Sequence, residues 1–355
     1  MLLIHGFYRV KFMLRENDLI FLLGAGCSYD ANIPISSKMI DDLENMLNTN
    51  NDWRDFKRLY LCIKSSIKFS DGIVGKSIEY FDIERLVNTL TELEKKEFAI
   101  IYPFIGTWSP RLLEIAGFDF KIVSIFKEKI LKNLRNWITI KNERDTKYYK
   151  NFYDFQSEYN YALRIFTLNY DLCLEKNKPT NYDLERGFDP NERIWDWRRF
   201  ETMDLYSPSI YLYKLHGSID WVRDESKGSI LREVDNVPEK PDLIFGTDYK
   251  MQYIDPYLLY AYEFRKFTLD SKVIIVIGYG FRDEHINSIL VQALQNNKKR
   301  KMVIISPNSK EKILPRLKEL SNFSKIINQI IPISQSAKEY LENNLKINGV
   351  EELID

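Results

Sequence analysis

Polar signatures follow three apolar runs of the sequence, and each signature offers a different chemistry. Gly24-Ala25-Gly26 and Ser28 follow the first run, and such a glycine turn brings backbone close to a pyrophosphate while the serine adds a hydroxyl. Asn169 and Asp171 follow the second run. His216 follows the third, and an imidazole that titrates near neutrality is a candidate general base. Together they predict a phosphate-holding site with a group able to move a proton.

Each of these signatures also has a structural interpretation. The helix that follows the glycine turn is expected to offer free N–H groups to a phosphate, but a bare GxG is equally typical of a tight turn. Asp171 suits the cap of the following pattern LCLEK. A lone histidine is more often structural than catalytic. The site interpretation is favoured because the carboxyl ends of parallel strands meet at one edge of a sheet.

Two later segments repeat the arrangement of a strand followed by polar or glycine residues. Gly278-Tyr279-Gly280 permits close backbone approach, and Ser306-Pro307-Asn308 offers polar tips for a ribose or an adenine. The segment Asp283–Asn287 also fits simple helix capping. His285 is expected to be a packed or surface histidine.

Apolar strands with helices between them must position these signatures. The predicted strands are Leu19–Leu23, Leu163–Leu168, Ile210–Leu215, Leu243–Phe245, Val273–Ile277, Met302–Ile305 and Ile330–Ile333. Helical patterns lie at Pro256–Leu269, Asp283–Gln295 and Ser309–Leu320. Apolar runs with little alternation are typical of parallel strands covered on both faces, so the sequence predicts an α/β, Rossmann-like, doubly wound and mostly parallel sheet.

A long helical segment separates the first two predicted strands. About 140 residues lie between them, whereas a crossover needs roughly 10 to 12. Helical spacing of apolar residues recurs at Lys38–Leu47, Trp53–Ser65, Ile83–Phe98 and Phe120–Ile140. The predicted organisation is residues 1–34 as N-terminal arm, first strand and glycine loop, 35–161 as helical insertion, 162–333 as the rest of the sheet domain, and 334–355 as C-terminal helix and tail. Whether residues 1–12 belong to the native start stays open.

Composition argues against several classes of protein. Lys plus Arg equals Asp plus Glu at 51 each, so no overall field draws the chain to nucleic acid or to an anionic membrane. Cys27, Cys62 and Cys173 form no CxxC pair, which argues against a zinc knuckle and a disulfide framework. Charges between Arg9 and Asp18 interrupt the apolar N-terminus before a signal or membrane segment can form. We therefore expect a cytoplasmic globular protein without a metal.

Two other functions are disfavoured by the same residues. Tyr29 stands where the third glycine of a dinucleotide fingerprint would be, and no acidic residue ends a second strand about 20 residues later, so hydride transfer is not expected. The basic run Lys298–Lys301 is the local support for direct nucleic-acid binding, and such a run is typical of a solvated turn. The tyrosines between Tyr148 and Tyr161 are expected to pack the insertion against the sheet.

Taken in order, the signatures resemble the sirtuin superfamily, and specifically the bacterial sirtuin-like branch of anti-phage defence systems. GAGCSYDANIP is similar to the family pattern GAGxSxxxGIP, TLNYD to TQNxD, KLHGS to the catalytic LHG segment, and GYGFRDEHIN is typical of the bacterial branch. Asn32 replaces the family's glycine before the Ile-Pro pair, and Ile35-Ser36-Ser37 replaces the DFR of deacylases. The four zinc cysteines of protein-deacylating sirtuins are also missing, which puts deacylation in doubt.

The resemblance implies an NAD+ hydrolase that releases nicotinamide and ADP-ribose, with NAD+ as substrate and no metal. At matching positions, Asn169 would position the nicotinamide riboside and a water, His216 would act as general base or orient the ribose, and Asp171 would support the Asn169 loop. The implied binding residues are Gly24, Ala25, Gly26, Ser28, Pro34, Thr167, Gly278, Tyr279, Ser306 and Asn308.

The resemblance also implies a biological setting, that of an effector that depletes NAD+ on phage infection. Such a short chain is expected to work as a homo-oligomer or beside a partner such as a HerA-type ATPase. Two alternatives stay open: an NAD-dependent protein deacylase, and a non-catalytic module that senses NAD or ADP-ribose. The trigger, the partner and the oligomer order are not predicted.

Overall fold

The computed structural model describes residues 14–73, 75, 81–98, 108–201, 208–224, 229–245, 254–319, 323 and 325–353. Its strands are β1 (Leu19–Leu23), β2 (Leu163–Thr167), β3 (Leu184–Glu185), β4 (Ile210–Lys214), β5 (Trp221–Asp224), β6 (Ile230–Glu233), β7 (Val273–Ile277), β8 (Lys301–Ile305) and β9 (Ile330–Ile333). The main sheet has seven strands in the order β3-β4-β2-β1-β7-β8-β9, and all neighbours are parallel. β5 and β6 form a separate antiparallel pair. The predicted α/β, mostly parallel fold class is confirmed.

Helices precede, follow and cover the strands. They are α1 (Ser36–Thr49), α2 (Asn51–Arg54), α3 (Lys57–Ile73), α4 (Ile83–Glu94), α5 (Pro110–Ala116), α6 (Lys121–Ile138), α7 (Asn151–Tyr159), α8 (Cys173–Lys176), α9 (Tyr257–Asp270), α10 (Glu284–Asn296), α11 (Leu314–Glu319), α12 (Ala337–Asn343) and α13 (Ile347–Glu352). A long 3-10 segment, Glu143–Lys150, leads into α7. Among the helices of the described ranges, none is long and apolar enough to cross a membrane.

The central strand β1 contributes to a hydrophobic core on each face of the sheet. Ile20 and Leu22 join the core that includes residues of α9 and α10, whereas Phe21 joins the core that includes α7 and α12. The Phe21 ring meets those of Phe152 and Phe155 edge-on, with centroids 5.3 and 5.7 Å apart. Burial on both faces explains why the strands are apolar without alternation.

The helical segment between β1 and β2 packs as two groups. Residues of α1 to α6, joined by Ile219 and Phe245, form a third core, which includes Leu43, Leu86 and Phe126. The tyrosine-rich segment 143–159 packs instead on the sheet, in the core of Phe21. Within the predicted 35–161 insertion, therefore, the first group is the separate helical layer, and the second covers one face of the sheet.

Some local predictions differ from the structure. Leu243–Phe245 is not a strand of the sheet, because Leu243 forms an isolated bridge to Gly217 instead. The prediction missed β3, which has two residues, and the β5–β6 pair, whose residues are mostly half-buried. The region from residue 334 forms α12 and α13 rather than one closing helix. Residues 1–12, whose origin the sequence left open, lie outside the described residues.

The basic run Lys298–Lys301 does not form a surface patch of four cations. Its first three residues lie at the turn before β8, as predicted, and Lys301 is the first residue of that strand. Arg300, however, is 3% exposed, and its guanidinium donates to the backbone carbonyls of Ser271, Leu269 and Ala293. One charge of the run is therefore buried and holds the ends of α9 and α10 together. This leaves fewer exposed cations for nucleic-acid binding.

Candidate functional site

The carboxyl ends of five strands lie level at one edge of the sheet. Leu23 pairs with Thr167 on one side and with Ile277 on the other. Thr167 pairs in turn with Lys214, and Ile277 with Ile305. The chain winds outward in opposite directions from β1 and β7, so this pair forms the topological switch point where a crevice opens for ligands.

A cavity of about 790 Å³ opens at this edge. Of the residues expected to act or bind, it is lined by Gly24, Ala25, Gly26, Pro34, Asn169, Asp171, His216, Gly278, Tyr279, Ser306 and Asn308. The imidazole-bearing tip of β4 thus shares one cavity with the glycine turn. Ser28 and Thr167 were also expected to bind, but Ser28 is fully buried and Thr167 is 4% exposed, and both lie outside the lining.

The glycine turn after β1 packs against the turn after β7. The N–H of Gly24 donates to the carbonyl of Ile277, and that of Gly26 to the carbonyl of Gly278, both at 2.9 Å. A Cβ on Gly26 would lie 2.9 Å from the Gly278 Cα, and one on Gly278 would lie 2.1 Å from the Cys27 nitrogen. These glycines are needed for contact between two backbones, whichever ligand the cavity holds.

The chain does not enter a helix directly after the glycine turn. Two 3-10 turns come first, at Ala25–Cys27 and Tyr29–Ala31. In the first, the N–H of Cys27 donates to the Gly24 carbonyl, and that of Gly26 is already engaged by Gly278. The expected helix N-terminus at this point is therefore absent. It lies further along, where α1 begins at Ser36, and Ser36 and Ser37 line the cavity.

Asn32 stands where the sirtuin pattern has a glycine, and it adopts a backbone conformation that glycine favours. It ends the second 3-10 turn in the left-handed conformation, with φ of 62°. Its side chain donates to Asp145 at 2.8 Å. Glycine adopts this conformation freely, and asparagine is one of the few other residues that adopt it. The backbone can therefore turn toward Pro34 without a glycine at position 32.

Behind the cavity wall, Ser28 is the centre of a buried hydrogen-bond network. Its hydroxyl donates to Oδ2 of Asp171 at 2.7 Å, so its lone pairs accept from the Tyr149 hydroxyl at 2.7 Å and from Nδ2 of Asn169 at 3.1 Å. The other Nδ2 hydrogen of Asn169 goes to the Gly24 carbonyl at 3.0 Å. Both amide hydrogens of Asn169 are thus used, and Oδ1 is its acceptor for the cavity that the residue lines.

Asp171 serves both the turn and the network. Its Oδ1 accepts the N–H of Cys173 at 3.0 Å, a turn contact just before α8. The residue that caps α8 is Leu172 rather than Asp171, and no side chain caps this helix, so the predicted capping role is wrong. Oδ2 of Asp171 accepts from Ser28, and the Asp171 backbone carbonyl accepts from the buried Lys214, which pairs with Glu175 at 3.0 Å. The carboxylate of Asp171 thus joins the β2 tip to the glycine loop, and its backbone carbonyl joins the tip to β4.

The sequence did not single out Tyr149. Its hydroxyl reaches Ser28 across 121 positions of the chain, a contact that no local pattern could reveal. Burial raises the pKa of Tyr149 well above its usual value, and the nearby Cys27 and Asp171 raise it further, so the phenol stays a donor. Burial also raises the pKa of the Cys27 thiol to about 12, against a smaller lowering by its hydrogen bond with Tyr149.

His216 is held by the backbone around it. The N–H of Ile244 donates to its carbonyl at 2.8 Å. Gly217 has φ of 90°, and a Cβ there would lie 2.2 Å from the Asp242 carbonyl oxygen. His216 is 6% exposed. The Nε2 atom of its imidazole lies 3.4 Å from Oδ2 of Asp283. Oδ1 of Asp283 caps α10, as the capping interpretation of Asp283–Asn287 predicts.

The helical layer supplies a charged part of the cavity wall. Asp82, Glu84 and Arg85, at the start of α4, line it together with Arg282 from the turn after β7. Arg282 forms an ion pair with Asp82, which also caps α4. This pair joins the layer to the glycine-containing turn, and its partners stand 200 positions apart, so no local pattern could have predicted it.

The described residues contain no group of three or more His, Cys, Asp or Glu side chains placed to hold a metal ion. Cys27, Cys62 and Cys173 are free thiols.

Comparison with known proteins finds a family match over part of the chain. The similar solved structures include a Sir2 homologue in complex with NAD (14% identity, TM-score 0.44, covering 95% of this chain and 90% of that one) and a mutant Sir2 homologue in complex with ADP-ribose (14% identity, TM-score 0.46, covering 93% and 91%). Likenesses at this level assign no function. No significant match was found among curated proteins. Residues 163–326, which carry the tips of β2, β4, β7 and β8, match the model of the SIR2-like domain, so over this range the chain is similar to that family.

Proposed function

We propose that this protein is an NAD+ glycohydrolase, which cleaves the bond between nicotinamide and ribose to give nicotinamide and ADP-ribose. The observation that carries the proposal is the fixed amide of Asn169, whose two hydrogens are engaged while the residue lines a cavity shared with His216. An oriented acceptor that shares a cavity with an imidazole is suited to hold a water or a ribose hydroxyl that must lose a proton.

The cavity suits a dinucleotide in size and in chemistry. Its volume of about 790 Å³ lies within the usual range for ligand pockets. α1 has no side-chain cap, so its first N–H groups are suited to a phosphate beside Ser36 and Ser37. Ser306 and Asn308, after β8, offer polar groups for the adenosine half.

The reaction needs positioning more than a strong reagent. Nicotinamide leaves the anomeric carbon through an oxocarbenium-like state, so the site must hold the ribose and aim one water. The water oxygen bonds to the anomeric carbon, and the bond from that carbon to the nicotinamide nitrogen breaks. The electron pair of the broken bond stays on the nitrogen, and nicotinamide leaves as a neutral molecule. Asn169 would orient the water, His216 would accept its proton, and Asp171, acting through Ser28, would keep the Asn169 amide in place.

The sirtuin resemblance extends the proposal to anti-phage defence by NAD+ depletion. An NAD+ hydrolase that was always active would exhaust its own host. We therefore expect low activity from a dilute free subunit, and activation by homo-oligomer formation or by a partner such as a HerA-type ATPase. Turnover measured over a range of protein concentrations, with oligomer mass read in parallel, tests this: rapid turnover by a dilute monomer contradicts it.

Product analysis tests the proposed reaction. Wild type, Asn169→Ala, His216→Ala and the exposed control Asn191→Ala are incubated with NAD+, each alone and with candidate partners. Wild type and the control should each release one ADP-ribose for every nicotinamide. In the other two variants the rate of product formation should fall about 100-fold or more, since a positioned base contributes about 10² to 10⁴ to the rate.

Two other outcomes would replace the proposal. Nicotinamide release that requires an acetylated peptide would identify a protein deacylase. Tight binding of NAD+, detected as a rise in melting temperature, without product under any condition would identify a sensing module. In that case His216→Ala would change affinity alone.

A further inference from the structure

We infer that Asp283 is a positioning residue for His216, holding the imidazole with Nε2 toward its carboxylate and with Nδ1 available to the cavity. The inference rests on the proposed function only for its effect on turnover. The orientation of the ring is a separate, directly measurable consequence.

The carboxylate of Asp283 is fixed by the start of α10. Its Oδ1 accepts the backbone N–H groups of His285 at 3.0 Å and Ile286 at 3.2 Å. Its backbone N–H donates to the hydroxyl of Tyr279 at 3.2 Å. α10 has thirteen residues, and the positive end of its dipole favours the charged form of a capping carboxylate. The direction of Oδ2 is thereby set.

Oδ2 is directed at the imidazole of His216. The two atoms Oδ2 and Nε2 are 3.4 Å apart, and both side chains are less than a tenth exposed. This is a loose contact of the kind that shortens when a substrate closes a site. The backbone of His216 cannot easily withdraw, because its carbonyl and Gly217 are pinned by the segment at Asp242 and Ile244.

Other ionisable groups line the two spaces that His216 also lines. His285 and Tyr257 line the smaller one, of about 20 Å³, and Glu84 and Arg282 line the main cavity. Burial raises the pKa of Tyr257, so it stays neutral. Within the described part of the chain, Asp283 is the acidic residue paired with the His216 ring.

A carboxylate beside Nε2 selects one neutral form of the imidazole. The carboxylate can only accept, so Nε2 carries the hydrogen and Nδ1 keeps the lone pair. A base must face its substrate with the lone pair, and the carboxylate also stabilises the imidazolium once the proton has been taken. Without Asp283, the ring would be free to present its N–H instead.

The test uses a substitution that preserves size and cap but reverses hydrogen bonding. In Asp283→Asn, the amide oxygen continues to accept from the start of α10, so the NH₂ group faces Nε2 and favours the form with hydrogen on Nδ1. Asp189→Asn is the matched control, because Oδ1 of Asp189 also accepts two backbone N–H groups, at 2.8 Å, outside the cavity.

Nitrogen-15 NMR of the imidazoles reads the ring directly. The chain has three histidines, and His216→Gln identifies the signals of His216. At mildly alkaline pH we expect hydrogen on Nε2 in wild type and in Asp189→Asn, and hydrogen on Nδ1 in Asp283→Asn. An unchanged form in Asp283→Asn overturns the inference. Asp283→Ser, whose shorter side chain caps α10 but does not reach the ring, should give a mixture, and it serves if the asparagine variant fails to fold.

Kinetics then separate positioning from binding. We expect Asp283→Asn to lower kcat for NAD+ by about 10² to 10⁴, with KM within a few-fold of wild type. A normal kcat in a variant with the switched form overturns the role in turnover. If wild type hydrolyses no NAD+, the proposed function fails, whereas the NMR result still decides whether Asp283 orients His216.

Discussion

Replacing Ser28 and Tyr149, singly and together, tests the buried network that fixes Asn169. Ser28→Ala removes one oxygen from a fully buried site. It leaves three groups without their partner: the Tyr149 hydroxyl, one Nδ2 hydrogen of Asn169, and Oδ2 of Asp171. Each unfilled buried group costs about 1–3 kcal/mol, and partial re-pairing reduces the sum, so we expect the free energy of unfolding to fall by about 3–5 kcal/mol.

Tyr149→Phe removes a single donor. In wild type it leaves one lone pair of Ser28 unfilled, which should cost about 1–2 kcal/mol. In the Ser28→Ala background the Tyr149 hydroxyl already lacks the Ser28 oxygen and keeps only its weak contact with the Cys27 thiol, so its removal should cost nothing or restore up to about 1 kcal/mol. The double variant should therefore be more stable than the sum of the single effects by about 2 kcal/mol.

Urea unfolding of the four proteins, followed by intrinsic fluorescence, measures this coupling. Tyr153→Phe is the matched control, because Tyr153 is buried in the same core but its hydroxyl donates to the Leu174 carbonyl at 3.1 Å. Its effect should add to that of Ser28→Ala. A coupling below about 0.5 kcal/mol between Ser28 and Tyr149 lies within the error of simple additivity and would refute the network.

Three further predictions concern the surroundings of the site. Gly278→Ala should lower the melting temperature, since its Cβ would lie 2.1 Å from backbone, whereas Gly280→Ala, whose nearest atom is 4.0 Å away, should not; equal shifts in a thermal-denaturation assay without ligand would contradict the packing argument. Burial raises the pKa of the Asp220 carboxyl, but Arg186 lowers it by more, so that it falls from 3.8 to about 2. The charged carboxylate therefore stabilises the fold fully above the unfolded-state pKa of 3.8, and this stabilisation is lost as pH falls from 3.8 toward 2. Asp220→Asn should therefore cost on the order of 2 kcal/mol at pH 7 and little below about pH 2.5 in urea unfolding, and a cost independent of pH would refute the pairing. Under native conditions iodoacetamide should modify Cys62, which is half-buried, and spare the other two cysteines, which are buried; early labelling of those by mass spectrometry would contradict their burial.

Much of the sheet could be predicted because its strands are buried on both faces. Val273–Ile277 is apolar at every position, and its strand bounds match the prediction. Leu243–Phe245 is equally apolar but has another reason to be buried: it covers the His216–Gly217 turn and contributes to the core of the helical layer. Short apolar runs cannot distinguish these two kinds of burial.

The site was predictable where residues stand at strand ends, and not where distant segments supply partners. Asn169 and His216 line one cavity because their strands are parallel and in register. Tyr149 reads as a packing aromatic in the sequence, and its hydroxyl gains a role only when segment 143–159 folds onto β1. Ser28 was expected at the ligand and lies instead behind the wall, because the 3-10 turn after Gly24 directs it inward.

The central claim is that an oriented Asn169 directs water to the anomeric carbon of NAD+. The most direct measurement is the quantity of nicotinamide and ADP-ribose formed by wild type and Asn169→Ala at saturating NAD+, in the assembly state or with the partner that gives maximal activity. We predict equal amounts of both products from wild type, and a rate at least about 100-fold lower in the variant with NAD+ binding retained. Undiminished hydrolysis by Asn169→Ala would contradict the account.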